Sequence, residues 1–174
     1  MNHEWQYSLA PDEVLAAILC AKRQTSDAAA RGGKHKPRGT NWTEERVVTG
    51  FKAEIALAAL LGVTYAYRPY SQLDTDVAGY EIRATLHNAG WLTTYHDDKR
   101  AIYILATINA HTNVVRFRGW QPLYLMNTNE NYCRADSKLL QPCYSRPQHE
   151  LWPMDMLPET KELMQHRTDM VPTA

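Results

Sequence analysis

Leu73-Asp74-Thr75-Asp76-Val77-Ala78-Gly79-Tyr80-Glu81-Ile82-Arg83-Ala84-Thr85 is the stretch on which the reading of the chain turns. Ala78-Gly79 between two β-prone runs predicts a two-residue hairpin turn, in which Val77 faces Tyr80, Asp76 faces Glu81 and Asp74 faces Arg83. Side chains alternate along a strand, so Asp74, Asp76, Glu81 and Arg83 share one face of that hairpin. Directly opposed residues have Cβ atoms only about 5 Å apart, and like charges so placed repel. Asp76 and Glu81 therefore call for a cation between them, and hard carboxylate oxygens with room for water suit Mg²⁺ or Mn²⁺. The plainer reading of the same face is a solvent-exposed one, with Asp74 and Arg83 as an ordinary cross-strand ion pair.

Working outward, Thr43 followed by Glu44 and Glu45 marks a helix start, and the apolar run that ends at Leu61 stops at Gly62. This helix is apolar nearly all round, and Glu54 is its one polar residue between Ala53 and Leu61. A carboxylate in line with Leu57, Ala58 and Leu61 is partly buried, and such a group finds a cation or gains a proton. An earlier helix is expected from Pro11 to about Ala30, with Val14, Leu15, Ile18, Leu19 and Ala21 as its apolar stripe. Strands are expected at Thr64 to Tyr67, Leu73 to Val77, Tyr80 to Leu86, Ala101 to Ile108 and Val114 to Trp120. From about residue 121 the chain reads as irregular, until Pro158 opens a short helix ending near His166.

The 174 residues suit a single domain, and 44% apolar with 22% charged residues is an ordinary globular composition. The longest apolar run, Ile55 to Leu61, is far short of the roughly 20 residues that span a bilayer. No membrane association is expected, and without a basic and apolar leader the expected location is the cytoplasm. Three cysteines, Cys20, Cys133 and Cys143, without paired metal-ligand spacing, read as small buried hydrophobes. Nineteen basic and nineteen acidic residues cancel, so any surface for a polyanion must be local. The candidate is Lys22 to Arg38, with six Lys or Arg residues against Asp27 alone, centred on a glycine-containing mobile loop near residues 31–39. Lys34, Lys36 and Arg38 are its expected nucleic-acid contacts, and a merely solvated loop is the alternative. Trp120, Trp152, Tyr124 and Tyr144 could stack on bases, although most of them read as core residues.

The order of these elements resembles the PD-(D/E)xK superfamily of restriction-endonuclease-like nucleases, and in particular a set of phage and prophage proteins. The similarity rests on the Gly50-x-x-x-Glu54 helix ending in Leu60-Leu61-Gly62, the Asp74-x-Asp76-Val77-x-Gly79 hairpin and the strand Glu81-Ile82-Arg83-Ala84-Thr85. Further along it rests on Asp97-Asp98 before Tyr103-Ile104-Leu105, on Gly119-Trp120, and on an echo at Trp152-Pro153 and Leu157-Pro158.

The resemblance implies an α/β fold, a central mixed β-sheet flanked by helices. It implies Asp76 and Glu81 as metal carboxylates, the Ile82 carbonyl as a further ligand and Glu54 as the helix-borne acid, with Mg²⁺ or Mn²⁺ as cofactor. Arg83 stands where most of the superfamily has lysine. An arginine stays charged, so its implied role is to clamp phosphate rather than to carry a proton. The function so implied is a metal-dependent nuclease acting on DNA, with a second copy of the chain in a homodimer as a further partner. The alternative is a catalytically inactive protein of the same fold that binds nucleic acid or a host protein, for example as an anti-defence factor. Fold resemblance does not decide between the two.

Overall fold

A computed structural model describes residues 5–30, 43–68, 75–98, 102–133 and 142–158. Helix α1 spans Pro11–Ala30 with Asp12 and Glu13 in its first turn. The Glu13 carboxylate reaches back to accept the Ala10 N–H at 2.8 Å and the Tyr7 hydroxyl at 2.8 Å, which satisfies a backbone donor that a helix start leaves exposed. Its buried side chains are Ala17 and Ala21, with Val14 and Cys20 packed beside them, whereas Leu15 and Leu19 are 55% and 56% exposed. The expected stripe is thereby rotated. Alanine lets the neighbouring helix approach closely, and that contact sets the face instead of the larger leucines.

Helix α2 runs over Glu44–Leu60, and the Thr43 hydroxyl accepts the Arg46 N–H at its start. Gly62 follows in the left-handed region at φ 66°, the usual helix stop. Phe51, Ala53 and Ile55 to Ala58 are buried because α2 packs on α1 and on the central sheet, which explains its apolar circumference.

Among the described residues the strands form two sheets. The strands are β1 (Gln6–Ser8), β2 (Glu81–Thr85), β3 (Leu92–Thr94), β4 (Ile102–Ile108), β5 (Val114–Pro122), β6 (Tyr132–Cys133) and β7 (Cys143–Arg146). The larger sheet has the order β1-β5-β4-β2 and is mixed, since β2 and β4 are parallel while the other pairs are antiparallel. The fold is α/β with a mixed sheet, as expected. Every residue of β4 is buried. Ile102, Ile104, Ala106 and Ile108 join the core shared with α1 and α2, while Tyr103 and Leu105 join Leu92, Met126 and Leu151 on the opposite face. A strand covered on both faces reads as one continuous apolar run.

The smaller sheet, β3-β7-β6, is antiparallel and covers that second face with the help of the short helix α3 (Leu123–Met126). Three of its elements, α3, β6 and β7, lie beyond residue 121, in a region expected to be irregular. They are short, and their pairing depends on partners distant in sequence. Thr64 to Tyr67 is not a strand. Its tyrosines turn sideways, Tyr65 donating to Glu54 at 2.7 Å and Tyr67 to Asp27 at 2.9 Å. Of the expected strand Leu73 to Val77, Val77 makes a single bridge with Tyr80, and Leu73 and Asp74 lie outside the described residues. The basic loop near 31–39, with Lys34, Lys36 and Arg38, and the residues after Pro158 lie outside them too.

Gly119 and Trp120 meet Trp152 and Pro153 in space. Trp120 and Trp152 exchange backbone hydrogen bonds at 2.9 and 3.0 Å, their rings pack edge to face at 4.8 Å, and the Trp120 indole donates to the Pro153 carbonyl. At Gly119, φ is +143°, and a Cβ there would lie 2.7 Å from both the Leu151 Cβ and the Trp152 carbonyl oxygen, so only glycine fits. No helix among the described residues is long and apolar enough to cross a membrane.

Candidate metal and phosphate site

The hairpin tip forms as expected. Val77 and Tyr80 exchange backbone hydrogen bonds, with Ala78 at φ 49° and Gly79 at φ 92° between them. Two successive positive φ values define a turn whose twist matches that of paired strands. Beyond it no further ladder pairing is present among the described residues. The Ile82 N–H, which would bond a continuing partner strand, is taken at 2.8 Å by Asp76 Oδ2. Asp76 is therefore placed at the outer edge of β2 by a side-chain cap instead of by regular pairing with Glu81. In an extended chain a residue's C=O points to the same side as its own N–H. The Ile82 carbonyl thus faces the Asp76 edge.

Glu81 and Arg83 alternate with Ile82 and Ala84 along β2. Ile82 enters the core shared with the helices, while Arg83 lies on the face towards β3. Arg83 Nη1 is 3.3 Å from Glu81 Oε1, Nη2 is 2.8 Å from Asp98 Oδ2, and Nε donates to the Thr93 carbonyl at 3.2 Å. The guanidinium also lies over the Tyr103 ring, 5.0 Å from its centroid. Burial opposes this charge, but Asp98 and Glu81 outweigh it and hold the guanidinium more firmly protonated than usual. Sequence reasoning missed Asp98 as the partner. Its signal was present in the Asp97-Asp98 turn, but nothing local to the sequence connects that turn to β2.

Glu54 comes from α2, and its Oε2 accepts the Tyr65 hydroxyl at 2.7 Å. Burial, followed by the charge of Asp76, pushes its carboxyl well above the ordinary range; Glu81 adds to the rise and the Tyr65 hydrogen bond offsets part of it. Glu54, Asp76 and Glu81, drawn from a helix, a hairpin tip and a strand, thus lie in one electrostatic field. Tyr65 is the other residue that the sequence did not single out, and its hydroxyl is pushed up by burial and by Glu54.

Hard carboxylate oxygens are the donor class that Mg²⁺ and Mn²⁺ prefer. Among the described residues, however, no three His, Cys, Asp or Glu side chains converge closely enough to hold a metal ion. A cation would have to draw Glu54, Asp76 and Glu81 together, and it would compete with Arg83 for Glu81. His87 is exposed in the turn after β2. Of the aromatic residues considered for stacking on bases, Trp120 is core and Tyr144 packs on Tyr132, while Tyr124 is exposed. No protein-family model, curated protein or solved structure matches this chain.

Proposed function

We propose that the chain has a restriction-endonuclease-like core and is a divalent-metal-dependent nuclease hydrolysing phosphodiester bonds in DNA, in the phage setting and bacterial cytoplasm that its resemblance implies. The observation that carries this reading is the grouping of three acids from separate elements, Glu54 on α2, Asp76 at the hairpin tip and Glu81 on β2, and the raised Glu54 carboxyl accords with it. A carboxyl whose ionisation is disfavoured by burial and by two neighbouring acids has a cost that a bound cation removes.

Asp76, Glu81, the Ile82 carbonyl and Glu54 would hold Mg²⁺ or Mn²⁺, which when bound supplies Lewis-acid activation of water and phosphate. Arg83 would orient the phosphate and stabilise the charge developing on it, as a fixed cation and not as a proton carrier. Tyr65 keeps the Glu54 carboxyl in one orientation through its hydrogen bond. Lys34, Lys36 and Arg38 would contact the nucleic-acid backbone.

Arg83 also favours a second reading. Its 3.3 Å contact already neutralises Glu81, one of the two principal carboxylates. That arrangement suits a catalytically inactive protein of the same fold which binds nucleic acid or a host protein.

Supercoiled plasmid incubated with the purified protein and Mg²⁺ or Mn²⁺ separates the two. Metal-dependent cleavage that disappears in both Asp76→Asn and Glu81→Gln is the result expected of the nuclease. Cleavage retained in either variant removes the assignment, and DNA binding without cleavage under either metal leaves the inactive binder.

A further inference from the structure

Cys133 and Cys143 are direct cross-strand partners in the antiparallel pairing of β6 with β7, and both are free thiols. Opposed residues in such a pair have Cα atoms about 4.5 or 5.5 Å apart. Both spacings fall within the roughly 4.4–6.8 Å range of Cα separations seen across disulfides. The neighbouring pair, Tyr132 and Tyr144, packs its rings at a tilt with centroids 5.6 Å apart and supports the register that holds the two cysteines opposite each other. Cys143 is buried, and Cys133 is partly exposed at the end of β6.

We propose that Cys133 and Cys143 are a redox-modification site, a dithiol that low-molecular-weight disulfides such as oxidised glutathione convert to an intramolecular cross-strand disulfide. The partly exposed Cys133, as its thiolate, attacks one sulfur of the glutathione disulfide. That S–S bond breaks, a new one forms between Cys133 and the glutathionyl group, and the departing glutathione thiolate takes a proton. Cys143, as its thiolate, then attacks the Cys133 sulfur, forms the protein disulfide and expels the second glutathione. Two protein thiols are oxidised and one small disulfide is reduced to two thiols. Burial pushes the Cys143 thiol up, which leaves the first attack to Cys133.

The bond would close the outer edge of the smaller sheet. Its middle strand, β7, pairs with β3, where the hydroxyls of Thr93 and Ser145 are 3.1 Å apart and the Thr93 carbonyl holds Arg83. Oxidation therefore stiffens the support on which Arg83 rests. The inference stands on strand register and does not depend on the activity proposed above.

The full-length protein is equilibrated with graded ratios of oxidised and reduced glutathione, quenched with iodoacetamide and analysed by intact mass and peptide mapping. The expected product has lost two hydrogens, contains a Cys133–Cys143 linked peptide and carries an alkylated Cys20. Cys143→Ser is expected to stop at a glutathione adduct on Cys133. Alkylation of both cysteines in wild type, a wild-type protein that stops at the same adduct, or a bond to Cys20 would each overturn the proposal.

Discussion

Asp98 Oδ2 accepts two hydrogen bonds at once, from Arg83 Nη2 at 2.8 Å and from the Tyr95 backbone N–H at 2.9 Å. A side chain only 5% exposed thus fastens β2, through Arg83, to the turn that follows β3. The charge of Arg83 is in use within the fold. Ion pairs of this kind matter less for the attraction they provide than for the buried charge exposed when one partner is removed.

Asp98→Asn tests that dependence. Asparagine keeps the shape and an acceptor for Tyr95 but leaves Glu81 as the carboxylate against Arg83. Arg83 is partly exposed, so water recovers some of the loss, and the expected destabilisation is about 1–3 kcal/mol. Urea denaturation of the two proteins measures it. Equal midpoints would mean that the contact carries no stability.

Glu54 gives a pH dependence of definite sign. Its folded carboxyl titrates above the value of about 4.3 expected in an unfolded chain. Between those values the folded protein binds more protons than the unfolded one, so this contribution is fully present below the unfolded value and is lost as pH rises through the folded one. Glu54→Gln cannot ionise and still accepts from Tyr65, so its stability should gain on that of wild type as pH rises from the unfolded value of about 4.3 through the folded one. Denaturation across that range with a chelator present checks this, and parallel curves would show that Glu54 is an ordinary solvated acid.

Ala78 occupies the left-handed region at φ 49°, where a Cβ costs about 1–2 kcal/mol. Asn-Gly is the favoured pair for such a turn, because asparagine tolerates this conformation. Ala78→Asn is expected to raise stability by about 0.5–1 kcal/mol, and Ala78→Val to lower it. Denaturant midpoints that run in the opposite order would contradict the turn geometry that places Asp76.

What could be read from the sequence was what local chemistry decides. Thr43 and Gly62 bracket α2, and Ala78-Gly79 specifies the hairpin tip, because capping and positive φ involve only neighbouring residues. The apolar run of β4 was legible for the same reason. By contrast, Leu15 and Leu19 looked buried by size, yet the face of α1 is chosen by α2. Tyr65 and Tyr67 looked like strand residues by propensity, yet their hydroxyls are spent on Glu54 and Asp27. Glu54, Asp76, Glu81 and Arg83 were all visible as candidates, but the closest partner of Arg83 was not. That partner is selected through space, by a turn on the far side of β3.

Arg83→Lys separates the structural use of this cation from a catalytic one. Arginine forks between Glu81 and Asp98, donates Nε to the Thr93 carbonyl and stacks on Tyr103. An ammonium group cannot keep the fork or the planar stack, so stability should fall by about 1–2 kcal/mol. Cleavage should behave differently. Lysine holds Glu81 less tightly and can shift its pKa to handle a proton, so Arg83→Lys is expected to preserve or raise the metal-dependent rate, while Arg83→Ala lowers kcat more than it raises KM. Rates on one DNA substrate, measured beside urea midpoints for the three proteins, make the comparison. If lysine and alanine reduce cleavage equally, Arg83 serves the fold alone; if neither wild type nor the lysine variant cleaves with either metal, the charge that holds β2 to Asp98 belongs to a binding protein.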